Sequence, residues 1–108
     1  MQGAPQLFTA LALAALLGGC ASLEAARLYE SGTDALDRHQ PERAVADLER
    51  AATLAPDVSA IQNHLGLAYQ DAGRPEDALH AFERAVELDC SNDAAVRNLR
   101  SMRAGAAQ

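Results

Sequence analysis

Apolar residues fall along this chain in two different patterns. Leu7 to Leu17 is a single unbroken run, LFTALALAALL. From there on, apolar positions recur every three or four residues, the spacing that puts them on one face of a helix. Ile61, Leu65, Ala68 and Tyr69 form one such stripe, and Ala78, Leu79, Phe82, Ala85, Val86 and Leu88 form the next. Between them stands Ala72-Gly73-Arg74-Pro75. Gly73 suits the left-handed residue that ends a helix, and Pro75 suits the first turn of the following one. Glu76 and Asp77 then favour the positive end of that helix. Upstream, Gln40-Pro41-Glu42 is a start signal and Ala55-Pro56 a stop. A helix preceding that start begins near Ser22. A fifth helix is predicted over Asp93 to Arg103, capped by Ser91 or Asn92. It would bury Ala95, Val96, Leu99 and Met102 and leave Arg97, Arg100 and Arg103 in water, with Gly105 onward frayed.

The stripes repeat. A shift of 34 positions lays Gly32 on Gly66, Asp37 on Asp71, Pro41 on Pro75 and Ala44 on Ala78, and Glu49-Arg50-Ala51 on Glu83-Arg84-Ala85. The second copy carries Leu65-Gly66-x-x-Tyr69, then Ala78-x-x-x-Phe82-x-x-Ala85. The first is degenerate: Ser31-Gly32-x-x-Ala35, Ala44-x-x-x-Leu48-x-x-Ala51, then Pro56. Period and positions resemble the tetratricopeptide repeat (TPR), a helix–turn–helix unit of the same length. Cys90 stands where the second copy would have its closing Pro. Gly66 and Ala78 are small where two helices must cross closely, and Phe82 fills the gap beside them. The expected fold is all-α, a TPR αα-hairpin solenoid of two repeats plus a C-terminal capping helix that closes the open end.

Composition narrows the function classes. Of 108 residues, 49% are apolar but only 4% aromatic, and alanine dominates, which favours close-packed helices. The net charge is -6 and every basic residue is a scattered Arg. Nucleic-acid binding needs a concentrated basic stripe, so it is excluded. Repulsion would also weaken attraction to an anionic membrane surface.

The run Leu7–Leu17 has the length of a signal-peptide core and is shorter than the ~20 residues a membrane span takes. It ends in Leu17-Gly18-Gly19-Cys20. These four residues resemble the lipobox of bacterial lipoprotein precursors, although Met1 to Gln6 lacks the usual Lys or Arg. The resemblance implies cleavage before Cys20 and acylation of its thiol. Ala21 after the cleavage point implies an outer-membrane address facing the periplasm. The other reading is an uncleaved N-terminal helix with an incidental Cys. On the lipoprotein reading, residues 1–19 are the signal, 20–24 the lipidated Cys and a short tether, 25–58 and 59–92 the repeats, 93–103 the cap and 104–108 a frayed tail.

By resemblance to TPR stacks, the first helix of each repeat lines a concave, peptide-binding face. Its positions here are Tyr29, Thr33, Leu36, Asn63, Leu67, Gln70, Arg97 and Ser101. Asn63 would bond a peptide backbone, Arg97 a carboxylate, and Tyr29 and Leu67 would give apolar contact. The other reading of that face is plain solvated helix. The carboxylate clamp of chaperone-type TPRs is absent, because its positions hold Tyr29, Thr33, His64, Ala94 and Asn98. His39, His64 and His80 share no ligand spacing, so no metal or other cofactor is expected. Cys90 is either a thiol for pairing with another chain or a small residue tolerated at a repeat boundary. No nucleophile elbow or phosphate loop is present, and an enzyme is not expected. The expected role is a lipid-anchored adaptor holding an envelope protein, in pilus, secretion or outer-membrane assembly. A self-associating homodimeric module and a non-catalytic subunit of an envelope enzyme are the alternatives.

Overall fold

The computed structural model describes the backbone of residues 4–106 and the side chains of residues 19–106. Five helices follow one another: α1 (Ala4–Asp37), α2 (Pro41–Leu54), α3 (Ser59–Asp71), α4 (Pro75–Leu88) and α5 (Asp93–Ala106). No strand occurs among the described residues. Helices α1 and α2 form one antiparallel hairpin and α3 and α4 a second; α2 packs on α3, and α5 closes the far side against α4.

The breakers act as their chemistry dictates. Pro41 and Pro75 open α2 and α4, where a missing N–H costs nothing. Gly73 has φ 73° and ends α3. Its N–H donates to the Gln70 carbonyl at 3.0 Å, and the Arg74 N–H reaches back to Tyr69 at 2.8 Å. This paired closure is the Schellman motif. The same bonds end α1, from His39 to Leu36 at 3.1 Å and from Gln40 to Ala35 at 2.8 Å. There the left-handed residue is His39, φ 56°, at the repeat position of Gly73. A histidine that reads from sequence as plain surface is therefore a helix terminator. At α5 the cap is Asn92, whose Oδ1 accepts from the Ala95 N–H at 3.2 Å; Ser91 instead bonds Asp89.

Two boundaries differ from expectation. The helix expected from near Ser22 is continuous from Ala4, because no proline interrupts its alanine- and leucine-rich sequence after Pro5. Gly18-Gly19 costs only about 1 kcal/mol per glycine against alanine, too little to break it. Likewise α5 runs through Gly105 to Ala106 instead of fraying. The side chains of residues 1–18, the backbone of residues 1–3 and the last two residues lie outside what is described, and with them the side chains of the n-region and of the run Leu7–Leu17.

The core is built from small residues. Ala35, Ala44, Ala51, Ala68, Ala78, Ala81, Ala85 and Ala95 are buried, and Leu48 and Phe82 are its largest fully enclosed side chains. Each of those two fills the space left by a glycine. A Cβ on Gly32 would stand 2.6 Å from Leu48 Cγ, and one on Gly66 would stand 2.5 Å from Phe82 Cε1. The close crossing expected at Gly66, Ala78 and Phe82 is thus present, and Gly32 with Leu48 repeats it in the degenerate copy. Where that copy has Ser31 for Leu65, the Ser31 hydroxyl donates to Asp47 at 2.6 Å. On the outer edge Tyr69 donates to Glu49 at 2.8 Å, and Arg74 stacks 4.7 Å from the Tyr69 ring. Burial, then the Glu49 carboxylate, pushes the Tyr69 pKa up to about 12.

Candidate functional site

Three helices, α1, α3 and α5, lie side by side and make one face of the molecule. Their register is the repeat itself, so equivalent positions line up across that face. Between α1 and α3 it holds a depression of about 340 Å³ lined by Thr33, Leu36, Asp37, His64, Leu67 and Asp71. Leu36 and Leu67 are half-buried and supply its apolar floor. Three of the residues expected on this face, Thr33, Leu36 and Leu67, therefore meet in one hollow.

The others are distributed around it, and several are already engaged. The Tyr29 hydroxyl lies 3.2 Å from His64 Nδ1, with the two rings edge to face at 5.2 Å. That nitrogen is also 2.9 Å from the Ala60 carbonyl. When Nδ1 carries a proton it donates to Ala60; when it does not, it accepts from Tyr29. Burial raises the Tyr29 pKa. Asn63 is only 5% exposed, and its Oδ1 accepts from Asn98 Nδ2 at 2.9 Å. Its carbonyl thus ties α3 to α5, whereas the sequence reading offers Asn63 to a bound peptide. Gln70 donates to Met102 sulfur at 2.8 Å, and Thr33 to the Glu30 carbonyl at 2.9 Å. Arg97 and Ser101 are exposed on α5, and neither side chain has a hydrogen bond or ion pair among the described residues.

The charge on this face is uneven. Asp37 and Asp71 stand at the hollow without an ion-pair partner among the described residues. Glu30 occupies in α1 the repeat position that His64 occupies in α3, and it too is unpaired there. Arg97 of α5, at the repeat position of Asn63, is an exposed cation with no ion pair among the described residues. Elsewhere some carboxylates are matched, as Asp34 is by Arg38 at 3.0 Å and Glu83 by Arg103 at 3.4 Å, while Glu42, Glu76, Asp89 and Asp93 have no ion pair among the described residues. Such exposed pairs contribute about 0–1 kcal/mol each. The unmatched negative charge is therefore spread over the molecule, and Asp37 and Asp71 are the part of it that stands at the hollow.

Asp37, Asp71 and His64 are absent from the groove residues expected from sequence. The signal for them was available. Asp37 and Asp71 are one repeat apart, each directly after an expected groove residue, Leu36 and Gln70. His64 is one turn before Leu67.

Other candidate chemistry stays dispersed. Among the described residues no group of three or more His, Cys, Asp or Glu converges to hold a metal ion. Cys20 and Cys90 are both exposed free thiols. Within residues 19–106, whose side chains are described, no helix is long and apolar enough to cross a membrane. The residues carrying the repeat signature, Gly32, Ala44, Leu48, Ala51, Leu65, Gly66, Ala78, Phe82 and Ala85, are all buried; Tyr69 is half-buried and Pro56 exposed. A comparison with the curated proteins gives no match. A comparison with family models matches residues 29–95 to one described as a tetratricopeptide repeat.

Proposed function

Because the chain belongs to the tetratricopeptide-repeat family, whose repeats generally mediate protein–protein interaction, we propose that it is a non-catalytic scaffold that holds a segment of another envelope protein against α1, α3 and α5. The observation that carries this is the hollow between α1 and α3. It offers an apolar floor at Leu36 and Leu67 with unpaired carboxylates at Asp37 and Asp71 beside it. An extended peptide that places one apolar side chain on that floor and a Lys or Arg next to it satisfies both features. On this reading Cys20 carries the acyl chains, and the scaffold faces the periplasm from the outer membrane, in an assembly such as a pilus, secretion channel or outer-membrane machine. Cys20 is exposed, as acylation needs, and Leu17-Gly18-Gly19 precedes it. In the full chain the Gly19–Cys20 bond lies within α1, so processing there requires local unwinding.

A photo-crosslinking residue tests the groove in cells. Placed at Gln70 it should give a discrete adduct that Leu67→Asp abolishes; placed at Arg84, off the groove, it should give none. Equal adducts from both positions, or none from Gln70, would reject the groove. Labelling with a fatty acid, with and without Cys20→Ala, tests the anchor separately.

Self-association has one observation in its favour. Val86, Val96, Leu99, Arg100 and Arg103 line a shallow depression of about 290 Å³ at the open end of the stack. There another helix, from a second copy, has room to pack. Light scattering over a range of concentrations decides this, since a strict monomer excludes it.

A further inference from the structure

The two ends of the hairpin stack differ in character. At one end are the turn after α1, at Arg38, His39 and Gln40, and the turn after α3, at Ala72, Gly73 and Arg74. Those turns are mostly polar. At the other end are the α2–α3 loop, the polar α4–α5 loop, whose Asn92 donates to Ser59 at 2.9 Å, and the stretch of α1 that follows Cys20. Among the described residues, the exposed large hydrophobic side chains are Leu23 at 55%, Leu54 at 37% and Val58 at 42%. All three belong to this second end.

A hollow of about 300 Å³ opens there between α1, the α2–α3 loop and the start of α3. Its walls include Ala25, Ala26, Ala55, Val58, Ala60 and Ile61, so it presents almost nothing but carbon. It lies where Ala25 and Ala26 of α1 and Ala60 of α3 are too short to fill the space, with Ser22, Tyr29 and Ile61 completing the wall. Around it Glu24 pairs with Arg50 at 3.4 Å and Asp57 with Arg84 at 3.9 Å, while one cation, Arg27, and two carboxylates, Asp89 and Asp93, have no ion pair among the described residues. This end therefore lacks the cationic excess that would seek an acidic partner. The stretch of α1 beside it starts at Cys20, the residue that carries the acyl chains on the anchor reading.

We propose that this end of the solenoid is a lipid-facing surface: Leu23, Leu54, Val58 and the alanine-walled hollow sit in the interfacial layer of a zwitterionic bilayer. The inference rests on the membrane-anchor reading and adds an orientation to it. An acyl anchor alone lets the module tumble. Three apolar side chains and a hollow that accepts lipid methylenes fix it end-on, because each buried methylene contributes about 0.8 kcal/mol. The faces of α1, α3 and α5 then stand upright from the membrane, with Asp37 and Asp71 at the distal end. A partner would reach the groove from the side without displacing lipid.

The protein contains no Trp, so one introduced residue is a clean probe. Val58→Trp and His39→Trp are made in the processed chain, acylated at Cys20. The two sites are separated by the length of α2, about 20 Å at ~1.5 Å per residue. Both are exposed, so neither substitution disturbs the core; unchanged helical ellipticity checks this. The proteins are reconstituted into phosphatidylcholine vesicles with brominated acyl chains, and the vesicles are floated. The proposal expects Val58→Trp to be quenched about threefold or more over His39→Trp, with emission shifted to the blue. Equal quenching, or none, in floating vesicles overturns the orientation and leaves the anchor standing. Blue-shifted emission without quenching means that protein covers the surface, a second copy included, and also overturns it. A chain that does not float overturns it as well, and fatty-acid labelling at Cys20 then decides the anchor on its own.

Discussion

Gly66→Ala adds one methyl group at the crossing of α3 and α4. The new Cβ would stand 2.5, 2.6 and 2.8 Å from three carbons of the Phe82 ring. Real Cβ atoms do not approach so closely, so either the ring or the helix must move. Phe82 is fully buried and rigid, packed with Ala78 and Leu99, which leaves the ring nowhere to turn. Overpacking of this kind costs about 1–3 kcal/mol. Against it, alanine in place of glycine favours the helix by ~1 kcal/mol. Three contacts under 3 Å to one buried ring put the clash in the upper part of its range, about 2–3 kcal/mol, so it wins by about 1–2 kcal/mol. For a repeat domain of this size that lowers the melting temperature by roughly 4–15 °C. Thermal unfolding followed by helical ellipticity measures it. Gly105→Ala is the control, since nothing lies within 4 Å of its added Cβ. That variant should be stabilised by about 0.5–1 kcal/mol. Combining Gly66→Ala with Phe82→Leu should cost at least ~1 kcal/mol less than the sum of the two single changes, because they share one space. A Gly66→Ala protein as stable as the parent would refute the argument, since it would mean the helices do not cross at this glycine.

The two helix-ending positions should respond in opposite senses. His39→Gly relieves a left-handed residue and should gain about 1 kcal/mol, whereas Gly73→Ala imposes the same strain and should lose about as much, both read as denaturant midpoints. Asn98→Leu leaves the buried Asn63 carbonyl without its donor and should cost about 1–3 kcal/mol, part of which Asn63→Leu restores when the two are combined. Alkaline stability should fall in a defined window. The tyrosines ionise near 10 when unfolded, and folding raises both pKa values, that of Tyr69 to about 12. The neutral phenol is the form favoured by folding. Its stabilisation is therefore complete below pH ~10 and is lost as pH rises through the folded values. Ultraviolet titration should show Tyr69→Phe removing the later of two transitions. If the remaining tyrosine titrated as a free phenol, the packing of Tyr29 on His64 would be wrong.

Much of this protein was decided by short stretches of sequence. Pro41 and Pro75 open helices because their missing N–H is unneeded there. Gly73 closes one because it alone accepts φ 73° without strain. Asn92 begins α5 through its own side chain. Spacing identified the buried face, and Gly66 with Phe82 announced the close crossing. Each of these rests on interactions within one turn or on a period, and so could be read along the chain.

What the tertiary structure decided depends on pairs about one repeat apart. Tyr29 meets His64, and Asn63 meets Asn98, only because helices of successive repeats stack in register. No local pattern says whether Asn63 turns inward to α5 or outward to a ligand. The same stacking brings Asp37 and Asp71 to one hollow with their charges unmatched, and it leaves alanines too short to fill the space at the end beside Cys20. His39 is held left-handed because the hairpin requires that turn, against the residue's own preference. Local propensity set where each helix starts and stops. Packing of helices distant in sequence set which side chains are occupied and which faces remain open to a partner.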